Sequence, residues 1–438
     1  MIFSKPKSSK ILAITVFSLS CTSAAYASSN TTTGGVSDKF SLTSTMMNPA
    51  ASGIMLDKDE NIRIGYFSNL SATAELGDVN EFETEINDLL DILEEENVTL
   101  DDAQDSLDRF NAILPVIGDQ GYFKISQKNA IPLFPMVFKT KFAPGIFALD
   151  VSMGVDARGS VLDDILEIDA QSETYQTNSS LYLKSAQKVQ ASLGYSHPIW
   201  KSSEGKFVGQ LLWGSRLNAY RFELSKQVIG FETFEDEDVE DVVSDDYDKN
   251  QVSASGVGLD QGLLWVNDHY QLGMTFKNLN EPEFEFASLD QNCLAITDPQ
   301  SQNNCFLAQY HANTLGNIEL EEKHTMHAYA TFDGSFFITQ RWGLSLVHDL
   351  GEYEDVLGDD IQLTVVSTHY QPRSLFIPGL RAGYKKNNAG TELESVAFGI
   401  NLFGIANLDL EYGLDKTKID GDEIPRVMAL SLGFEERF

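Results

Sequence analysis

Residues 429–438 read ALSLGFEERF, and the parity of that stretch decides the fold. Counting back from the end, Phe438, Phe434, Leu432, Leu430 and Met428 share one parity, while Arg437, Glu435, Gly433, Ser431 and Ala429 share the other. In a strand parity is a face, because side chains alternate with period two. One face is oily and the other is small or polar. The chain carries a formal net charge of -34 and still finishes on an aromatic residue, where a soluble chain usually frays into polar disorder. A terminal Phe makes sense if the last strand closes a barrel whose oily face meets lipid. Phe434 and Phe438 therefore read as the barrel's C-terminal signal, weakened by Glu436, which stands where the oily parity calls for an apolar residue.

The alternation recurs upstream. Leu408, Leu410, Tyr412 and Leu414 oppose Asn407, Asp409, Glu411 and Asp415, and Val396, Phe398, Ile400 and Leu402 oppose Ser395, Ala397, Gly399 and Asn401. Phe147, Leu149, Val151, Met153 and Val155 oppose Ala148, Asp150, Ser152, Gly154 and Asp156. A soluble β-sandwich also alternates. The loops argue for the barrel: short turns such as APG, NDH, DGS and FGI alternate with long polar connections, which is the rim asymmetry of an outer-membrane barrel. The expected fold is all-β, a transmembrane antiparallel β-barrel of about 16 strands, or 14 if the pieces near 61–75 or 206–228 are misassigned, both even as single-chain bacterial barrels favour. Separate strands are expected at 172–184 and 188–199, and again at 206–215 and 217–228.

Lys5, Lys7 and Lys10, an apolar run from Ile11 to Leu19 and the small-residue site ending at Ala27 read as a secretory leader over residues 1–27. A lipid attachment at Cys21 fits less well. Without the leader only Cys293 and Cys305 remain, and an exported pair in a polar loop most simply forms one disulfide. Losing three lysines and no acids takes the net charge from -34 to -37, which repels phosphate backbones and argues against direct nucleic-acid binding. No later run of about 20 apolar residues could form a membrane helix. The organisation is then the leader, a compact segment over 28–60, and a barrel over 61–438 that carries a helical insertion at 79–114 and an acidic loop at 230–250. Phe82, Ile86, Leu89 and Leu93, then Ala103, Leu107 and Phe110, fall at helical spacing in that insertion.

Within 28–60, MNPAASG leads at once into a strand, and it resembles the amino-terminal Asn-Pro-Ala element of the FadL-type outer-membrane transport superfamily. YQLGMTFKNLNEP, residues 270–282, is similar to a strand and its exit in the same superfamily. The leader, the acidic helical insert and the length bring the chain nearest to its TraF-like group, labelled plasmid transfer operon or conjugal transfer protein. No Cys-x-x-Cys is present, so the thioredoxin-like protein that shares the label is a different one. The resemblance implies a plug inside the barrel, with Asn48, Pro49 and Ala50 as its element, and passive transport of a small hydrophobic solute. The alternative it implies is a structural envelope component serving conjugal transfer or a secretion assembly. The partners follow: outer-membrane lipid and lipopolysaccharide, the barrel assembly machinery, a hydrophobic small molecule, and conjugation or secretion components.

Charges on the parity opposite the oily face would cost several kcal/mol against lipid, so they are read as lumen-facing. They include Arg63, Asp150, Asp156, Lys277, Arg341, Arg381, Lys385, Asp409 and Glu411. The acidic run after residue 234 holds no EF-hand frame, and His324 with His327 on a strand would point to opposite faces. No nucleophile elbow or catalytic constellation is present, so no enzymatic activity, metal or other cofactor is expected.

Overall fold

The computed structural model describes residues 30–93, 95, 100–169, 173–202, 208–234, 250–372, 374 and 376–437. The leader, most of the acidic loop and Phe438 lie outside the described residues.

The alternating segments build one antiparallel ring. Its strands are β1 (Ile62–Leu76), β2 (Tyr122–Ala130 continued by Met136–Lys139), β3 (Ile146–Leu162), β4 (Ser180–Ser202) and β5 (Gly209–Gly230). They are followed by β6 (Gln251–Val266), β7 (Tyr270–Lys277), β8 (Tyr329–Thr339), β9 (Trp342–Asp349) and β10 (Leu363–Tyr370). The last four are β11 (Gly379–Asn387), β12 (Glu394–Leu402), β13 (Ala406–Gly413) and β14 (Val427–Arg437). The sheet has 15 hydrogen-bonded segments, but both halves of β2 lie between β1 and β3, so the ring has 14 positions. It closes where β14 pairs with β1, from Arg437 opposite Arg63 to Val427 opposite Glu75. Closure removes both sheet edges, which lets strands cross a membrane with their backbone groups paired.

The smaller count has a physical cause. Residues 172–184 and 188–199 contribute to one 23-residue strand, β4, and 206–215 and 217–228 to one 22-residue strand, β5. A membrane crossing needs only about 9–11 residues. The surplus carries β4 and β5 above the lipid belt, where Ser185 and Gln187 replace the oily face that runs from Val189 to Trp200. That polar interval breaks the alternation without breaking the strand. The first half of β2, Tyr122–Ala130, lies where no strand was expected.

Long connections gather at one rim and short turns at the other. The long rim carries α1 (Phe82–Leu93) and α2 (Leu100–Gln120), and further round α3 (Pro299–Tyr310), tied to its loop by a disulfide between Cys293 and Cys305. The helical pair extends to Gln120, beyond the expected end at 114. Ile86, Leu89, Phe110 and Leu114 pack with Val161 and Leu181. Those two residues lie on the outward parity of β3 and β4, so the helical pair stands against the outside of the raised wall. Leu162, on the inward parity, packs instead with Leu307 and Ala308 of α3.

Outward side chains at mid-strand are exposed: Leu217 at 53%, Val257 at 56% and Phe398 at 62%. A belt of such residues around the whole ring is far larger than the apolar patches soluble proteins tolerate, and it matches a lipid-facing surface. Trp200, Trp265, Tyr270 and Trp342 border it toward the short-turn rim and Tyr384 and Tyr412 toward the long rim. We expect the protein in the outer-membrane fraction, with unboiled samples migrating differently from boiled ones on gels. Recovery as a soluble periplasmic protein without that shift would remove the barrel.

Candidate functional site

The inward parity makes a polar lumen, and two sets of chain segments enter it. From the short-turn side comes the segment before β1. Asn48 ends a short helix and caps the next turn, its Oδ1 accepting from Ala50 N at 3.0 Å while Pro49 opens that turn. Asn48 Nδ2 also donates to the Leu263 carbonyl of β6 at 3.2 Å, and Ser196 of β4 donates to the Ala50 carbonyl at 3.0 Å. The wall makes room for this turn with glycine. A Cβ at Gly262 would stand 2.1 Å from Asn48 Oδ1, and one at Gly214 would stand 2.4 Å from Ala50 N. Ala50, Ala51 and Met55 pack with Leu42, Val137, Leu212 and Leu264 into an apolar cluster beneath the polar lumen.

Wall charges hold the same segment. Arg63 Nη1 donates to the Lys39 carbonyl at 2.8 Å and Nη2 to the Phe40 carbonyl at 3.0 Å. Arg216 pairs with Asp260 at 2.6 Å and donates to the carbonyls of Thr45 and Met46. Asp260 also accepts from Asn218 at 2.8 Å and from the Asn278 amide at 2.9 Å. Asp333 accepts the backbone and side-chain donors of Ser37, each at 2.9 Å. Asp409 is fully buried, bonded to Thr32 and paired with Arg381 at 3.0 Å. Glu411 pairs with Lys385 at 3.0 Å and accepts from Ser395 at 2.6 Å.

From the long rim, two loops reach in and are tied to lumen cations. Glu322 meets Lys184 at 2.5 Å and Lys226 at 3.5 Å. Asp355 and Asp359 meet Lys124 at 2.5 and 2.6 Å, and Asp359 also pairs with Arg158. Beside these pairs, Phe284 packs on Phe222 of β5 with ring centroids 4.5 Å apart, and His324 closes over the same ring.

The other expected lumen charges fall into distinct places. Asp150 is buried and faces Arg216 and Lys188 electrostatically, with neither carboxylate oxygen meeting a donor within hydrogen-bond reach. Asp156 lies close enough to Lys188 to interact with it, and Lys277 lies 5.2 Å over the Tyr329 ring. Arg341 sits in the two-residue turn between β8 and β9 rather than on a lumen wall, because the strand ends at Thr339. Arg216, Asp260, Asp333 and the cations tied to loops were not singled out from the sequence. Their signal was the inward parity of β4 and β5, hidden when those strands were read in halves.

The wall is interrupted once within the pairing of β2. Between Ala130 and Met136 the chain leaves the ladder, and β1 is paired to β2 only above Leu70 and below Ile64. Three backbone bonds bridge the gap: Ile131 N to Val151 O at 3.0 Å, Phe134 N to Ile131 O at 3.1 Å, and Gly65 N to Pro135 O at 2.9 Å. Among the described residues no group of three His, Cys, Asp or Glu side chains is arranged to hold a metal ion.

A closed antiparallel ring with an oily belt, aromatic borders, unequal rims and an occupied lumen defines an outer-membrane β-barrel. The chain belongs to the family described as F plasmid transfer operon, TraF, protein, whose model matches residues 45–349. No curated protein matches it. The chain is similar to the Pseudomonas putida toluene transporter TodX, with 13% identity, 95% of this chain and 99% of that one covered, and a TM-score of 0.44. A deltaS2S3 mutant of the TodX monoaromatic hydrocarbon channel gives 11% identity, 94% and 99% coverage, and a TM-score of 0.48. A Pseudomonas aeruginosa FadL homologue gives 10% identity, 94% and 98% coverage, and a TM-score of 0.40.

Two outcomes follow. Replacing Arg216 with Met leaves Asp260 buried and uncompensated, a cost of about 3–5 kcal/mol. The temperature of the gel shift should fall, and adding Asp260→Leu should recover part of it. Burial lowers His324 from 6.5 to about 4, with Asp355 and Glu322 opposing and Lys184 and Lys188 assisting. A lowered histidine favours folding fully above its unfolded pKa and loses that contribution as pH falls toward the folded value. Docking of the 320–326 segment should therefore weaken by about 2 kcal/mol between pH 7 and 5, read as faster amide exchange there, and His324→Phe should remove the pH dependence.

Proposed function

We propose that the protein is a plugged outer-membrane channel that passes a small hydrophobic solute passively. The observation that carries this reading is the adjacency of the apolar plug cluster to the gap in β2. Val137, immediately below the gap, is fully buried against Leu42, Ala50 and Leu264, so the oily part of the lumen lies behind the interrupted stretch of wall. A solute that prefers that cluster to water has a short path between plug and bilayer. In this reading Asn48, Pro49 and Ala50 are the plug element, and the charges around them set its resting position. The organisation that goes with it is a plug over 28–60 in a barrel over 61–438.

A second reading is supported by how thoroughly the lumen is tied. Carboxylates of two loops and carbonyls of the N-terminal segment occupy wall cations from both ends. A structural envelope component for conjugal transfer or secretion would present its raised rim, with α1, α2 and α3, to a partner. The two readings separate in purified liposomes. Transport requires that a neutral aromatic such as toluene cross faster with the folded protein than with heat-unfolded protein. Equal rates would remove the channel reading and leave the rim as the functional surface.

A further inference from the structure

The lumen cations described so far each meet an acid or a carbonyl. Lys128 of β2 and Lys188 of β4 do not: among the described residues neither has a hydrogen-bonding or ion-pair partner. They belong to one row of the wall, because Gly154 of β3 is opposite Lys128 on one side and Lys188 on the other. Their Cα atoms are thus two strand spacings apart, about 9–10 Å, and both side chains point inward with Gly154 between them. The position is open. A Cβ at Gly154 would meet only ordinary contacts, 3.4 Å to the Gln127 carbonyl and 3.8 Å to Lys128 Cγ, whereas at Gly214 and Gly262 it would strike the plug. Lys188 also feels Lys277 and Arg216, and Asp156 is the acid that acts on it. The next residue in the row is Phe222, opposite Lys188, and its ring is extended by Phe284.

Two cations held near each other without counter-charge, with space between them and an aromatic surface alongside, form an arrangement that a ligand completes. We propose that Lys128 and Lys188 form a lumen subsite for a small amphipathic anion, its carboxylate or phosphate bridged across Gly154 and its apolar body lying on Phe222 and Phe284. The inference rests on the channel reading only in that it names the charge class of solute entering the same lumen. Each lysine contributes charge-assisted hydrogen bonds, and the aromatic pair favours a planar or short apolar body over a long flexible one.

The test is calorimetric titration of the full-length, detergent-purified barrel with benzoate, phenyl phosphate, inorganic phosphate and toluene. Wild type should bind both aromatic anions, more weakly as salt rises. Lys188→Met should weaken them about tenfold or more, the size of a lost charge-assisted bond, while leaving toluene unchanged. Gly154→Glu keeps both lysines and supplies an internal carboxylate, so it should abolish anion binding as well; retained gel shift shows that each variant is folded. Equal affinities in wild type and both variants, or inorganic phosphate binding as tightly as phenyl phosphate, would overturn the subsite. Toluene flux without anion binding removes the subsite and keeps the channel; anion binding without flux does the reverse. Comparing benzoate with phenyl phosphate decides which oxyanion is preferred.

Discussion

Backbone pairing in a medium that offers no water is the constraint on which the rest of this structure depends. An unpaired peptide group in hydrocarbon costs several kcal/mol, so the sheet has to close on itself. Closure is made by β14 against β1, and its register shifts twice, near Gly65 and Phe67. The irregularity lies opposite the interruption in β2, so the same part of β1 is disturbed on both sides. Local bonds from Ile131, Phe134 and Gly65 meet some of the pairing that the ladder loses there. A gap of this kind is tolerable where those groups face one another or the lumen, and it is the weakest stretch of wall.

Closure has a second consequence inside. With alternating parity, every oily residue turned to lipid places its neighbour in the lumen, and those neighbours include many charges. Wall charges cannot all sit in a narrow interior uncompensated. The N-terminal segment and the long-rim loops solve the problem from opposite ends, one mainly with backbone carbonyls and hydroxyls, the other with carboxylates. The two solutions respond differently to conditions. Carboxylate pairs near the rim weaken with salt, while carbonyl contacts around Arg63 and Arg216 do not depend on a second ionised group. The plug is therefore held by interactions less sensitive to ionic strength than those holding the loops.

The fold was legible wherever parity was uninterrupted within the belt. The final strand, Val396 to Leu402 and Leu408 to Tyr412 all place oily residues outward. Legibility failed where a strand left the belt. Lys184 to Lys188 read as a loop because Ser185 and Gln187 occupy the outer face above the lipid, where the hydrophobic requirement lapses. Tyr122–Ala130 was missed for a related reason, since Gln127 and Asn129 take the outward parity just before the gap. Arg341 shows the opposite error: parity was extended past the end of a strand into a turn. Which charges meet which plug atoms was not legible, because pairing between residues 30–56 and distant strands leaves no periodic trace.

The contrast between tied and untied lumen cations bears on whether the interior is a closed strut or a working passage. A barrel filled only for rigidity has no use for bare lysines: each costs desolvation and mutual repulsion that a nearby acid would offset. The chain has an acid available at Asp156, diagonal to Lys188 across one strand, yet no ion pair forms between them. Removing both lysines would simplify the wall, whereas keeping them with a glycine between maintains charge and space together. That combination is consistent with a lumen whose middle is meant to be occupied transiently, between a plug fixed below and loops fastened above.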